Sequence, residues 1–399
     1  MSSVNRRLAA MMFLEFFIWG AWYVTVGNYM TAIDLTDVIY WAYTVSPIAA
    51  VVSPFFLGMV ADRFFATERV LGVLHILGGL AMLAAPSLAY SGSLFILVLL
   101  LHVLFYMPTL GLTNSLAFHH ITDREKQFPV IRVFGTIGWI VANVIVSAVL
   151  HADATPLPLY IAGAAGILMG LYSFTLPHTP PPARGTRPTA RSILGLDALE
   201  KLWSKPFFVF ALSSLLISIP LSAYYAYAPV FVSAAGLESP AFKMSFGQMS
   251  EVAFMVAMPF FFARLGVKWM LVTGMGAWVL RYALFAAAAP TGAFGLIMLG
   301  ILLHGICYDF FFVTGQIFVD QKSTDDIRGQ AQGFLVLLTY GVGMLVGAQI
   351  SGWIFNRIVP DPAVLANWQA FWILPAAFAF VVMIYFALRF ENTRATDET

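Results

Sequence analysis

The chain has 399 residues, 60% of them hydrophobic and only 10% charged, with a formal net charge of +1. Soluble domains carry roughly 25% charged residues, so this chain lacks the polar sequence to cover a soluble globule, and its mean hydropathy of +0.84 agrees. The near-neutral charge gives no footprint for nucleic acid, and the single cysteine, Cys307, excludes an intrachain disulfide and a cysteine metal cluster.

A membrane span needs about 20 apolar residues, so this length suits about a dozen spans joined by short loops. The apolar runs are continuous rather than alternating, which selects helices over barrel strands. Helices are predicted near 8–31, 37–61, 70–90, 93–118, 130–150, 157–177, 206–234, 243–264, 268–289, 293–319, 328–357 and 366–389.

The first run follows Arg6 and Arg7 as a signal peptide would. It carries Glu15, is rich in aromatics and shows no clear small-x-small cleavage site, so it reads as an uncleaved span. Glu15, Trp19 and Trp22 share one helical face at i, i+4 and i+7. Either this face is an aromatic wall with a proton-accepting or ligand-binding group, or Glu15 pairs with another helix while the tryptophans pack. After the second span comes Gly58-Met-Val-Ala-Asp62-Arg63, then Phe64-Phe65-Ala66. His119 and His120 close the fourth span without further ligand spacing.

In the fifth span Arg132, Thr136 and Trp139 lie on one stripe, and Gly135 and Gly138 permit close helix approach. Arg132 either snorkels to the cytoplasmic surface or forms a gate or substrate contact, with Trp139 stacking on a planar ring. The longest polar interruption begins at Pro177 and continues to Lys205. Proline and arginine there stop both neighbouring helices. The chain is thereby divided into an N-terminal six-helix half, 1–177, a cytoplasmic linker, 178–205, with a short surface helix near Leu194–Trp203, and a C-terminal six-helix half, 206–399.

The seventh span holds Pro220 and Pro229, which free backbone carbonyls and allow bending. Ser222 and Tyr225, one turn apart, either face a cavity or belong to a kinked helix with interfacial tyrosines. In the eighth span Gln248 and Glu251 stand at i, i+3. Amide plus carboxylate suits hydroxyl-rich or nitrogen-heterocycle ligands, since it both donates and accepts. Alternatively, Glu251 forms a buried ion pair with Arg281 of the ninth span, at similar depth.

The tenth span carries His304, Tyr308 and Phe312 along one face, with Asp309 slightly rotated. A carboxylate in a membrane-length apolar run must find a partner, line water or take up a proton. Ionisable groups inside spans are functional candidates for that reason. Asp309 is the first candidate for proton coupling and Glu251 the second; the alternative is a static carboxylate holding Arg132 or a backbone group. No phosphate loop, zinc spacing or Ser-His-Asp motif stands in a fitting context, so neither an enzyme, a cofactor nor a metal is expected.

Charge orients the chain. With the N-terminus in the cytoplasm, seventeen cations fall inside: Arg6, Arg7, Arg63, Arg69, Arg124, Lys126, Arg184, Arg187, Arg191, Lys201, Lys205, Arg264, Lys268, Lys322, Arg328, Arg389 and Arg394. Only Lys243 and Arg357 fall outside, with Arg132 and Arg281 within spans. The positive-inside rule then puts both termini in the cytoplasm, as an even span count requires.

Two six-helix halves, both termini inside and a long central cytoplasmic loop resemble the plan of the major facilitator superfamily, as does the Gly58–Arg63 loop. Such transporters place substrate near the bilayer midplane between the halves. More specific stretches are Phe13-Leu-Glu-Phe-Phe-Ile-Trp-Gly-Ala-Trp22, Tyr106-Met-Pro-Thr-Leu-Gly-Leu112 and Phe128-Pro-Val-Ile-Arg-Val-Phe-Gly-Thr-Ile-Gly-Trp139. Thr175-Leu-Pro-His178, Gly195-Leu-Asp-Ala198, Gly247-Gln-Met-Ser-Glu251, Ala277-Trp-Val-Leu-Arg281 and Tyr308-Asp-Phe-Phe311 continue the series in order. With them the chain resembles the bacterial nucleoside–proton symporters, the nucleoside permease family of that superfamily.

The resemblance implies an all-α integral membrane protein of twelve transmembrane helices, acting as a monomer that imports nucleosides with protons across the bacterial inner membrane. It implies that Arg132, Thr136, Trp139, Gln248, Glu251, Tyr308 and Asp309 line the substrate and proton pathway. Three departures fall on the same region. Ser222 and Tyr225 stand where the best-known members carry Gln and Asn, His304 stands where they carry Tyr, and Glu15 replaces the Gln of some members. A permease for another small polar solute, such as a sugar, and a non-transporting membrane sensor are the alternatives.

Overall fold

The computed structural model describes residues 2–56, 65–181, 189, 191, 194–324 and 327–391. The Gly58–Arg63 loop, Arg184, Arg187 and Arg394 lie outside the described residues. Among those described, the chain consists of helices and the loops joining them.

Among the described residues, nine helices are long and apolar enough to cross a membrane. One of these, Pro240–Ala288, is two helices joined at Gly266, where φ 63° and ψ 178° interrupt the helical backbone. Only glycine adopts that conformation without strain, and it separates the two helices predicted at 243–264 and 268–289. With the shorter Leu157–Ser173 and Ile39–Phe56, the described helices agree with twelve crossings.

Helix starts follow local chemistry. Asp123 accepts from the Lys126 N–H at 3.0 Å and so caps the Arg124–Asn143 helix. Ser204 caps Lys205–Ala234 by accepting from the Phe207 N–H, with proline in the first turn. Both satisfy donors that a helix start leaves open. Three widened π turns went unpredicted: Val144–Val149, Asp309–Val313 and Leu337–Gly343. Each relaxes a helix that the apolar pattern reads as continuous.

The chain forms two compact units, Met1–Pro188 with Ser239–Phe242, and Thr189–Glu238 with Lys243–Thr399. In the first unit, Ser3–Tyr23 lies along Arg124–Asn143 and Leu157–Ser173. Thr67–Ala84 packs against Leu157–Ser173 at glycine contacts: a Cβ on Gly79 would sit 2.7 Å from the Gly163 carbonyl oxygen. Such close approach suits helices in lipid, where packing replaces the hydrophobic drive between helices.

In the second unit, Lys205–Ala234 packs on Met344–Ile358 and Leu365–Arg389. An aromatic core joins them, with Tyr227 stacked on Phe355 at 4.1 Å and Tyr282 parallel to Trp372 at 5.8 Å. The short Leu196–Leu202 helix packs on Arg328–Val336 of the same unit. Gly195, at φ 70°, starts it where a Cβ would meet the Gln330 carbonyl oxygen at 2.8 Å. That close approach accounts for glycine in the Gly195–Ala198 stretch.

Candidate functional site

In the first unit, Gly20 lets the first span approach the fifth, since a Cβ there would lie 2.9 Å from the Trp139 backbone. Trp19 and Trp139 consequently meet edge-to-face at 5.6 Å, and Tyr23 lies 6.2 Å from Trp139. Arg132 is half-buried, with its guanidinium 4.1 Å above the Phe16 ring. Thr136, also half-buried, lies on the same helix one turn from Arg132 and one turn from Trp139.

Glu15 is placed differently. It is fully buried, its Oε2 is 2.8 Å from His75 Nε2, and its Oε1 accepts from the Thr109 hydroxyl at 2.6 Å. The Tyr106 hydroxyl donates to the Glu15 carbonyl at 2.7 Å. Trp22 meets the His102 ring edge-to-face at 5.7 Å. The residues of that face have different partners: Trp19 reaches Trp139 of the fifth span and Tyr106 of the fourth, Glu15 reaches the third and fourth, and Trp22 the fourth.

In the second unit, the eighth and tenth spans are locked by Ser250. Its hydroxyl donates to the Gly247 carbonyl at 2.7 Å and accepts from the Gly305 N–H at 3.0 Å. Gly305 has no room for a Cβ, which would sit 2.6 Å from the Ser250 carbonyl oxygen. This contact sets half-buried Glu251 beside His304, and Gln248, also half-buried, lies one turn before Glu251 on the same helix. His304 Nε2 stands 3.8 Å from Glu251 Oε2, and its ring lies 5.8 Å from Tyr308 and 6.4 Å from Tyr225. Tyr308 continues to Phe312 at 5.1 Å, and Phe312 meets Trp278 at 5.7 Å.

Asp309 follows Tyr308 and opens the Asp309–Val313 π turn. It is fully buried, and neither carboxylate oxygen has a hydrogen-bond partner among the described residues. Ser222 lies apart from this group. Its hydroxyl donates to the Ile219 carbonyl at 2.8 Å and stands 3.4 Å from the Ser351 hydroxyl, against Gly347.

Two side chains that the sequence reading did not place at the centre belong there. Instead of a direct Arg281–Glu251 pair, His304 stands between the two, with Arg281 Nη2 3.2 Å from His304 Nδ1. Tyr224 stacks on His304 at 5.5 Å and lies under the Arg281 guanidinium at 4.1 Å. The Ala277–Arg281 stretch held the signal for Arg281, whereas Tyr224 had none beyond its place between two prolines.

Apolar helices of crossing length that hold carboxylates, an arginine and imidazoles in their interior define a multi-pass membrane transporter. The model of the nucleoside H+ symporter family matches residues 2–395. The chain belongs to that family. It is 34% identical to the xanthosine permease of Escherichia coli, over 98% of this chain and 96% of the relative. It is 32% identical to the nucleoside permease NupG of the same organism, with the same two coverages. A crystal structure of a mutant of the nucleoside transporter NupG superposes with a TM-score of 0.90 at 30% identity, covering 98% of this chain and 100% of that one. A D-xylose–proton symporter, at 12% identity and a TM-score of 0.71, shares the fold alone, over 95% and 98% of the two chains. The all-α fold is that of the major facilitator superfamily.

Proposed function

We propose that this protein imports nucleosides across the bacterial inner membrane, driven by protons, with Asp309 as the proton-coupling residue. The observation that carries the reading is the Asp309 carboxylate, fully buried with both oxygens unpartnered among the described residues. An ionised carboxylate without hydrogen bonds is costly to bury, and binding a proton removes the charge. The widened turn that begins at Asp309 gives its helix a point of rearrangement. Glu251 is the second candidate for the proton.

Gln248, Glu251, Tyr225, His304 and Tyr308 form the second unit's share of the substrate pathway: an amide and a carboxylate for hydroxyls, and aromatic faces for a planar base. Arg132, Thr136 and Trp139 line the pathway in the first unit. Membership of the nucleoside H+ symporter family supports the substrate class and the coupled ion. The excess of cations in segments assigned to the cytoplasm supports both termini inside. Val256, Val381 and Leu388, at 80%, 66% and 77% exposed, are apolar surface suited to lipid. The superfamily plan supports a monomer, and the absence of a nucleophile–base motif in the sequence supports a transporter without chemical turnover.

Uptake of labelled uridine and adenosine into proteoliposomes, with and without an inward proton gradient, tests the reading. Accumulation above equilibrium that a protonophore collapses is the expected result. Absence of flux for both nucleosides, from protein shown to be folded, would overturn it.

A further inference from the structure

Arg281 is fully buried in the middle of the second unit. Its Nε donates to the Gly300 carbonyl at 3.1 Å, its Nη2 lies 3.2 Å from His304 Nδ1, and its guanidinium packs on Tyr224. A guanidinium has only donors. His304 Nδ1 must therefore accept, and the ring proton stands on Nε2, the atom that faces Glu251 Oε2 at 3.8 Å. The ring is held against rotation by Tyr224 on one side, stacked at 17°, and by Tyr308 at 30°. Gly247 presses on its root, since a Cβ there would lie 3.0 Å from the His304 Cβ.

The 3.8 Å gap between Nε2 and Oε2 is longer than a hydrogen bond. A hydroxyl oxygen about 2.8–3.0 Å from both atoms fits it, accepting from Nε2–H and donating to the carboxylate. A sugar hydroxyl has both capacities; a deoxy carbon has neither. We propose that Arg281 is a positioning residue that fixes His304 as an Nε2–H donor beside Glu251, and that this donor–acceptor pair selects nucleosides by a sugar hydroxyl bridging it. The inference rests on the nucleoside reading above for its substrate, and on the Arg281–His304 geometry for its mechanism.

Two measurements on the full-length protein test it. Nitrogen-15 NMR of histidine-labelled protein, with His304→Phe to assign the signal, reports the tautomer. An unprotonated Nδ1 and a protonated Nε2 are expected; a protonated Nδ1 overturns the proposal with no transport measurement involved. Proteoliposome uptake of whichever of uridine and adenosine accumulates is then competed with its 2′-deoxy and 3′-deoxy analogues. Wild-type protein should discriminate against at least one analogue by about tenfold or more. Arg281→Met and His304→Phe should each bring that ratio to within about threefold, raising KM more than they lower the maximal rate. The double variant should be no worse than either alone, because both remove one linked interaction. Arg281→Lys, which keeps a charged donor, should restore part of the ratio.

Full discrimination in folded Arg281→Met protein, or in His304→Phe protein, overturns the proposal. If Arg281→Met does not fold, the wild-type tautomer and the Arg281→Lys ratio decide. If wild-type vesicles accumulate neither nucleoside, the functional reading fails and the hydroxyl selection with it, while the tautomer still decides the Arg281–His304 pairing.

Discussion

Asp309 and Glu15 are both fully buried carboxylates with different surroundings. Glu15 is held by His75 and Thr109. Asp309 has no hydrogen-bond partner among the described residues. That contrast is why the proposed proton-coupling role goes to Asp309 rather than to Glu15. Asp309→Asn should abolish gradient-driven accumulation while sparing exchange of labelled for unlabelled nucleoside across the membrane. Uphill uptake retained by Asp309→Asn would remove the residue from coupling. His75→Ala should instead lower stability by about 1–3 kcal/mol, because it leaves the buried Glu15 Oε2 without its hydrogen-bond partner. Thermal unfolding in detergent checks this, and Glu15→Gln, which keeps the hydrogen-bonding shape, should lose less.

Among the elements, interruptions decide where side chains go. Gly266 turns one apolar run into two helices with a backbone that alanine does not tolerate. Gly266→Ala should cost about 1–3 kcal/mol in strain, seen as a lower unfolding temperature. Gly276→Ala is the control, since a Cβ there meets only the Met383 sulfur at 3.6 Å. The loop after the fifth span offers a pH test. Asp153 accepts from the Ser147 hydroxyl at 2.9 and 2.7 Å and from the Ala241 N–H at 2.9 Å. Burial nevertheless pushes its carboxyl above the ordinary carboxylate value. A raised folded value means that the folded state holds the proton more tightly than the unfolded chain. The stability this contributes is present below the unfolded value of about 3.9 and is lost as pH rises through the raised one. The unfolding temperature of wild type relative to Asp153→Asn should therefore fall as pH rises from about 4 to about 7; an unchanged difference would remove Asp153 as its source.

At the scale of the whole molecule, the distribution of basic residues carries the proposed orientation in the membrane. Seventeen cations fall on one side of the assigned topology and two on the other, from Arg6 to Arg394 and at Lys243 and Arg357. Insertion follows that asymmetry because moving lysine or arginine across the bilayer is unfavourable. A fluorescent protein fused to the C-terminus should mature and fluoresce in the cytoplasm, and a periplasm-specific reporter fused there should stay silent. The reverse pattern would invert the topology and place the linker outside.

Much of this was legible in the chain, because membrane insertion reads local quantities. Twenty apolar residues, a glycine break at Gly266 and a basic loop each act where they stand, so span positions and the break needed no tertiary information. The polar residues inside the spans were legible too, since each is conspicuous against an apolar background. Their partners were not. A helix face names neighbours three and four residues away but not the helix opposite, and from the same face Glu15 met His75 of the third span while Trp19 met Trp139 of the fifth. Ser222, one turn from Tyr225, turned to Ser351 instead of His304 because Gly347 lets the two helices approach. Widened turns such as Asp309–Val313 rotate residues away from the ideal helical register, which no fixed period anticipates. The sequence determined which charges are buried; the tertiary structure decided which are paired, because pairing depends on contacts between helices remote in the chain.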